Sequence, residues 1–362
     1  MSATQRLNSI DILRAVAATS VLLYHLVNAE QIHGGGEVVL GGIAHIGYWG
    51  VDMFFVISGF IMAQTTQDKF GRSGAAADFI VRRAVRIVPL YWACTFALAA
   101  LVAVRPSLID PSLQQAGLLA SLLFLPQPIP PLLAVGWTLN FEMFFYAVTA
   151  ACLLLATYRS APWILALWAF AAALHTLQPS GREFLGFALN PMIIEFVLGF
   201  CAQRALHHLN GRAGAYVLLA GLAGVVAAHA YALQRTDHGH TAAMRVLLFA
   251  LPATLIVLGV SVLERAKMLK ASAGWKRLGD ASYALYLTHL FVMTLGARAA
   301  SSLGLSGTPA RNAALLAACV VLCWLVADQV HRRLESPVTR GLLKVWSRLR
   351  LDGPAGMRNT PS

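Results

Sequence analysis

Long apolar runs separated by short polar segments form the pattern of this chain of 362 residues. A helix that crosses a bilayer needs about 20 mostly apolar residues. A shorter apolar segment, Gln114–Leu125, ends in a proline-rich stretch and is predicted to be interfacial or re-entrant. The longer runs predict ten membrane-spanning helices, roughly at Ile10–Ala29, Ala44–Gln64, Ala84–Val104, Val135–Thr157, Pro162–Leu177, Phe184–Gln203, Gly214–Leu233, Arg245–Leu263, Ala281–Ala300 and Asn312–Val330.

The composition agrees with an all-α, polytopic membrane protein. Apolar residues make up 58% of the chain and charged residues 12%, whereas soluble proteins carry about 25% charged residues. These values exclude a soluble, disordered or collagen-like chain. No basic and aromatic residues gather on a polar face, so nucleic acid is not an expected partner. The five cysteines lie in apolar runs without a CxxC pair, which favours small core residues, and no metal site is expected.

The 28 lysine and arginine residues are divided unequally between the two sets of alternating loops. One set, which includes both termini, holds 21 of them, the other set holds 6, and Arg14 lies inside the first span. Cytoplasmic loops are enriched in Lys and Arg, so the distribution predicts cytosolic termini in the inner (plasma) membrane. The basic tail 338–362 is predicted to follow a membrane domain at 1–337. Interleaved apolar residues in this tail favour an amphipathic helix on anionic lipid, or a disordered segment.

Ionisable side chains inside a span are costly in lipid and therefore mark candidate functional sites. Arg14 and His25 both lie in the first span, eleven residues apart. This spacing returns them to within about 20° of one helix face, about 16 Å apart along the axis. Asp11 precedes Arg14 by three residues and is close enough to pair with it. The alternative is structural: Arg14 reaches toward the interface, and His25 binds a neighbouring carbonyl.

Three arginines, Arg82, Arg83 and Arg86, precede the third span. Arg83 and Arg86 share a face if this segment is helical, and guanidinium groups bind phosphate oxygens in a bidentate manner. The arginines therefore form a candidate phosphate-binding site. The alternative interpretation is that they only anchor the third span at the cytosolic interface.

Two more ionisable residues lie in aromatic surroundings. Glu142 follows Trp137 and precedes Tyr146 in the fourth span. Its carboxylate either binds sugar hydroxyls beside the rings or pairs with a structural arginine. His289 lies in the ninth span, in a segment rich in tyrosine. Structural and functional interpretations of His289 are both open.

In their order and spacing, these residues resemble acyltransferase family 3, whose members are integral membrane proteins that O-acylate bacterial surface and exported glycans. The resemblance runs from about Leu7 to Pro337. The second of its motifs is similar to the version in exopolysaccharide acetyltransferases. The motifs are Ile10–Arg14 with His25, Gly50–Met62, Arg83-x-x-Arg86, Trp137-Thr138-Leu139-x-x-Glu142-x-x-Phe145-Tyr146, and Leu334–Pro337.

The resemblance implies an enzyme that uses acyl-CoA, usually acetyl-CoA, as co-substrate and holds no permanently bound cofactor. The implied acceptor is a hydroxyl of a polysaccharide or a lipid-linked glycan. The donor would be bound by Arg82, Arg83 and Arg86. The acceptor would be bound by Glu142, Trp137, Tyr146 and His289.

Direct transfer is the mechanism that we expect from the first span. His25 would act as the general base on the acceptor hydroxyl, because imidazole accepts a proton near neutral pH. Arg14 would position the donor, and Asp11 would orient Arg14. A covalent acyl-histidine intermediate remains an alternative.

A second class of function also fits ionisable residues in ten spans: a transporter or flippase for a lipid-linked glycan or a small anion. The lack of a visible internal repeat weighs against this class. The two classes differ in the donor, because a transporter has no need of CoA.

Overall fold

The computed structural model describes residues 7–33, 39, 46–105, 115–178, 181–234, 242–270, 272–305 and 307–352. Within these ranges the secondary structure is helical, and no strand is present. Helices predominate because a backbone in lipid must satisfy its hydrogen bonds internally. The α-helices are α1 Asn8–His33, α2 Trp49–Thr66, α3 Ala75–Val104, α4 Leu118–Leu122, α5 Trp137–Leu155, α6 Ala161–His175, α7 Glu183–Ala188, α8 Ile193–Ala205, α9 Gly211–Leu233, α10 Ala242–Arg245, α11 Leu251–Arg265, α12 Ala273–Ser302, α13 Pro309–Val330 and α14 Ser336–Asp352.

Each of the ten predicted spans overlaps helices of the described residues. Ala44 and His45, at the start of the second span, lie outside the described residues, and the sixth span is divided between α7 and α8. Seven helical segments of the described residues are long and apolar enough to cross a membrane: Asn8–Gln31, Ala75–Val104, Ala134–Leu155, Glu183–His208, Gly211–Leu233, Val246–Arg265 and Pro309–Arg350. The other three predicted spans fall on α2, α6 and α12. Helix α6 is short, with 15 residues. Helices α2 and α12 are continuous, but polar residues divide their apolar sequences. The chain is therefore an all-helical, polytopic membrane protein, and its orientation stays a prediction.

The chain forms two compact units, the first comprising Met1–Ile61 and Ile194–His331 and the second comprising Met62–Ile193 and Arg332–Ser362. In the first unit, α1 packs along α12 and α13, and α9 packs along α11. Gly279 allows the closest approach of α12 to α1, since a Cβ atom there would overlap the backbone oxygen of Asp11. The start of α1 is capped from α11, because both carboxylate oxygens of Glu264 accept bonds from the backbone N–H groups of Asn8 and Ser9, at 2.8 and 2.7 Å.

In the second unit, α3 packs against α5 and the C-terminal helix α14. Pro89 lies inside α3. Because proline has no backbone N–H, it cannot donate a hydrogen bond to the carbonyl of Val85, four residues earlier. The hydroxyl of Thr339 on α14 donates to that carbonyl instead, at 3.5 Å. A hydroxyl from a neighbouring helix is a usual compensation for proline inside a membrane helix.

The predicted interfacial segment contains the short helix α4, and its first residue, Gln114, lies outside the described residues. Two side chains of α3 bind the end of α4. Tyr91 donates its hydroxyl to the carbonyl of Ser121 at 3.0 Å, and the Trp92 indole donates to the carbonyl of Leu122 at 2.9 Å. These bonds attach the segment to α3 within the second unit.

The predicted tail is helical as far as Asp352, and residues 353–362 lie outside the described residues. Its helix α14 binds α3 at Asp78. The Trp346 indole donates to the Asp78 carboxylate at 3.2 Å, and the Arg350 guanidinium lies 3.1 Å from the same oxygen. The start of the tail is therefore attached to the second unit by specific polar contacts. The domain boundary at residue 337 stays a prediction.

Candidate active site

Helix α1 is continuous from Asn8 to His33, so Asp11, Arg14 and His25 are carried by one rigid element. Asp11 and Arg14 are both buried. The Arg14 Nη1 atom lies 4.0 Å from the Asp11 Oδ1 atom, which is the predicted pairing three residues apart. Gly279 of α12 packs directly on the backbone and the Cβ atom of Asp11.

His25 lies against a second histidine. Its ring centroid is 5.2 Å from that of His289 on α12, with the ring planes tilted by 40°. Tyr24 contacts the same imidazole edge-on, also at 5.2 Å. His25 is half-buried and His289 is fully buried. The structure therefore brings together two residues that the sequence placed in different roles, the expected base and a member of the acceptor site.

The tautomer of His289 follows from its hydrogen bond. Its Nδ1 atom lies 3.1 Å from the carbonyl oxygen of Leu285. A carbonyl can only accept, so Nδ1 carries the proton, and Nε2 of the neutral ring presents a lone pair. Within the described part of the chain, this buried Nε2 atom has no hydrogen-bond partner. His289 thus offers a buried acceptor close to His25.

Tyr286 connects this histidine pair to α2. Its ring centroid lies 6.1 Å from His289 and 5.8 Å from Phe54. The position of Tyr286 three residues before His289 predicts that the two side chains share one patch, and their ring contact agrees with this, although Tyr286 was not assigned a role in the site.

Arg83 is held in an aromatic site of the second unit rather than extended from a surface. Its Cζ atom lies 5.6 Å from the ring centroid of Phe79 and 5.7 Å from that of Tyr146, so both rings make cation–π contacts. Its Nη2 atom also donates to the hydroxyl of Thr65 at 3.1 Å. The hydroxyl of Tyr146 donates to the carboxylate of Glu142. Arg83, Tyr146 and Glu142 therefore form one cluster, in which Glu142 interacts electrostatically with Arg83.

The three arginines of the expected donor site have different surroundings. Asp78, one helical turn earlier, accepts from the Nε atom of Arg82 with both oxygens, at 3.0 and 2.9 Å. Arg86 lines a cavity of about 150 Å³. The other lining residues are Pro89, Leu90, Leu334, Glu335, Val338 and Thr339. Arg86 thus lines a cavity, whereas the guanidinium of Arg82 is bound by the carboxylate of Asp78.

Lys69 adds another positive charge near these arginines. Partial burial lowers the pKa of Lys69, the charges of Arg82 and Arg83 act in the same direction, and the charge of Asp78 acts against them. Asp78 and Lys69 were both missed by the sequence interpretation. The spacing of four residues between Asp78 and Arg82 was a usable signal for an ion pair on one helix face.

Trp137 begins α5 and contacts other aromatic rings. Its centroid lies 6.1 Å from that of Phe141, which in turn stacks on Phe187 at 4.5 Å. Of the residues expected to bind the acceptor, the structure joins Glu142 and Tyr146 through their hydrogen bond and places Trp137 on the same helix. His289 belongs to the first unit, beside His25.

These features define the class of the protein: an all-helical membrane protein with ionisable side chains on α1 and α12 of the first unit and, separately, on α3 and α5 of the second unit. A family model described as an acyltransferase domain matches residues 7–328, and the chain therefore belongs to acyltransferase family 3. It is 35% identical to the exopolysaccharide production protein ExoZ of Rhizobium meliloti (strain 1021) over 309 residues, which cover 82% of this chain and 90% of ExoZ. It is 27% identical to the acyltransferase MdmB of Streptomyces mycarofaciens over 375 residues, covering 92% of each chain. No solved structure matches the chain.

The chain is thus a membrane acyltransferase of the exopolysaccharide acetyltransferase-like type. The transporter interpretation receives no support from these relatives.

Proposed function

We propose that the protein is an O-acetyltransferase of the bacterial inner membrane that transfers an acetyl group from acetyl-CoA to a hydroxyl of an exported polysaccharide or its lipid-linked precursor. The observation that carries this proposal is the position of His25, half-buried on α1 and 5.2 Å from His289, in a chain of an acyltransferase family. The similarity to ExoZ, an exopolysaccharide production protein, supports a polysaccharide acceptor.

The arginines of α3 support a phosphate-bearing donor. Arginine binds phosphate oxygens with paired, charge-assisted hydrogen bonds. Arg86 is the member of the group that faces a cavity, so we assign it the main contact with the donor. Arg83 serves both the donor site and the cluster with Glu142 and Tyr146. Arg82 adds charge while held by Asp78.

His25 is assigned the role of general base. It takes the proton of the acceptor hydroxyl as the hydroxyl oxygen attacks the thioester carbonyl carbon. The new carbon–oxygen bond forms, the carbon–sulfur bond breaks, and the proton passes from His25 to the departing CoA thiolate. Arg14 positions the donor, with Asp11 holding its guanidinium. Trapping of a labelled acetyl group on His25 in the absence of acceptor would instead establish the acyl-histidine route.

The first test is binding and slow hydrolysis of acetyl-CoA by the protein purified in detergent. We expect wild type to bind and hydrolyse acetyl-CoA. His25→Ala should retain binding and lose turnover by about 100-fold or more, the usual contribution of a general base. Arg86→Ala should raise the dissociation constant for acetyl-CoA, because a phosphate contact is lost.

The matched control is Arg348→Ala, which removes an exposed arginine from α14 and should leave acetyl-CoA binding unchanged. Failure of wild type to bind or hydrolyse acetyl-CoA or any other short acyl-CoA would contradict the donor assignment. If Arg348→Ala and Arg86→Ala weaken acetyl-CoA binding equally, the loss reflects the lower net positive charge of the protein. It then gives no support for a binding site at Arg86.

A further inference from the structure

His289 is one of several buried polar residues in the described part of the chain that have no role in the direct-transfer mechanism. Its side chain is 1% exposed, and its Nδ1–H is committed to the carbonyl of Leu285. Its Nε2 atom is an acceptor without a partner among the described residues. A buried acceptor without a hydrogen-bond partner destabilises the folded protein, so an apolar side chain would be favoured here if the position had no function.

The distance between the two imidazoles fits a hydrogen bond between them. With a nitrogen-to-nitrogen distance of about 2.9 Å, two imidazole rings joined by an N–H···N bond have centroids roughly 5 Å apart. The observed separation is 5.2 Å with a tilt of 40°. The centroid separation therefore matches that of hydrogen-bonded imidazoles, while the tilt shows that the bond is not formed in this arrangement. Catalytic hydrogen bonds commonly tighten when substrate binds.

We propose that His289 is a positioning residue for the reaction: its Nε2 atom accepts a hydrogen bond from one ring nitrogen of His25 and leaves the other ring nitrogen facing the acceptor hydroxyl. This inference rests on the proposed function, because it assumes that His25 is the base. It changes the role of His289 from binding the glycan to orienting the base.

The proton balance is simple. One nitrogen of neutral His25 takes the hydroxyl proton as the carbon–oxygen bond forms. The other nitrogen keeps its own proton and, through it, makes a hydrogen bond to Nε2 of His289. The resulting imidazolium is stabilised by this bond, since hydrogen bonds that involve a charged partner are the stronger ones. When the carbon–sulfur bond breaks, the first nitrogen returns its proton to the CoA thiolate. His289 stays neutral throughout.

Two conservative variants separate this role from simple packing. In His289→Asn the amide nitrogen can replace Nδ1 and still donate to Leu285, but no acceptor remains at the position of Nε2. In His289→Gln the amide oxygen reaches the position of Nε2 and restores the acceptor. Both variants keep a polar, smaller or similar side chain in the same buried place, so a packing role would affect them alike.

We measure kcat and KM for acetyl-CoA hydrolysis in detergent. His289→Asn should lower kcat about tenfold or more with little change in KM, because the base is misdirected and the donor site is intact. His289→Gln should recover at least half of the lost kcat on a logarithmic scale. His229→Asn is the matched control, because His229 also has its Nδ1 atom on the carbonyl four residues earlier, at 2.7 Å from Val225. It should have the kcat of wild type.

The inference is overturned if His289→Asn keeps the kcat of wild type, if the Gln and Asn variants fall equally, or if KM rises in place of the fall in kcat. A variant that does not fold is recognised because it lacks a single peak in gel filtration. If His289→Asn does not fold, the kcat of His289→Gln alone tests the inference. Absence of hydrolysis in wild type is a different result, since it contradicts the proposed function and not the role of His289.

Discussion

At the scale of single residues, a buried ion pair holds α2 to the segment before α11 in the first unit. The Arg245 Nη2 atom lies 2.8 Å from Asp52 Oδ2, and Asp52 is fully buried. Glu195 on α8 is also fully buried and interacts electrostatically with both residues. The ring of Tyr48 completes the site, 5.0 Å below the guanidinium. Arg245 is thus the positive charge that interacts with both buried carboxyl groups, those of Asp52 and Glu195.

We therefore expect Arg245→Ala to destabilise the protein strongly. Removal of one partner of a buried pair leaves an uncompensated charge and typically costs about 3–5 kcal/mol. The midpoint of thermal unfolding in detergent measures the loss. Lys276→Ala is the control, because Lys276 pairs with Asp280 at 2.6 Å on a partly exposed helix surface, where ion pairs contribute less than in the interior. Equal melting temperatures for the two variants would contradict a structural role for Arg245.

At the scale of helices, α2 and α8 approach so closely that only glycine fits at their crossing. A Cβ atom on Gly59 would overlap the backbone oxygen of Phe196, and one on Gly199 would overlap the backbone oxygen of Val56. Small residues at such crossings let membrane helices gain packing contacts that lipid cannot supply. Phe55 and Phe196 stack beside the crossing at 4.5 Å.

Gly59→Val should therefore push α2 away from α8 and lower the midpoint of thermal unfolding. Overpacking of this kind typically costs about 1–3 kcal/mol, and the obstacle here is backbone, which cannot rotate away. Gly341→Ala on α14 is the matched control, since no atom lies within 4 Å of an added Cβ atom. It should be neutral or slightly stabilising because alanine favours the helix. A Gly59→Val protein as stable as wild type would show that the two helices separate readily.

At the scale of the whole molecule, the uneven distribution of basic residues predicts the orientation in the membrane. The expected cytosolic set includes the arginines of α3 and those of α14, and the opposite set includes Arg311 at the start of α13. Acetyl-CoA is a cytosolic donor. The proposed donor site on α3 therefore requires that the arginines of α3 face the cytosol, as this orientation predicts.

Cysteine labelling tests this orientation. In a chain whose native cysteines are replaced, Arg340→Cys should react with a membrane-impermeant maleimide only in inside-out vesicles. Arg311→Cys should react in right-side-out vesicles, because it lies in the opposite set of loops. Both positions are exposed, so access to the reagent is comparable. The reverse labelling pattern would contradict the positive-inside prediction and place Arg83 and Arg86 away from the CoA pool.

The candidate site could be predicted only in part. The pairing of Asp11 with Arg14 follows from local spacing along one helix, and the structure confirms it. The contact between His25 and His289 joins residues 264 positions apart, and no periodicity of a single sequence specifies such a contact. Small residues at 58 and 59 indicate a close helix contact, yet the partner, Gly199, becomes known only once α8 is in place.

Hydropathy and motif order along the chain are enough to predict an all-helical membrane protein and its acyltransferase family, because lipid imposes the same demand on every span and short motifs stay within one helix. Packing between helices decides which ionisable groups meet. It places Asp52 beside Arg245, Arg83 between two rings and the free nitrogen of His289 close to His25. The physical reason is that these contacts depend on helix rotation and crossing, which many side chains set together and no single segment encodes.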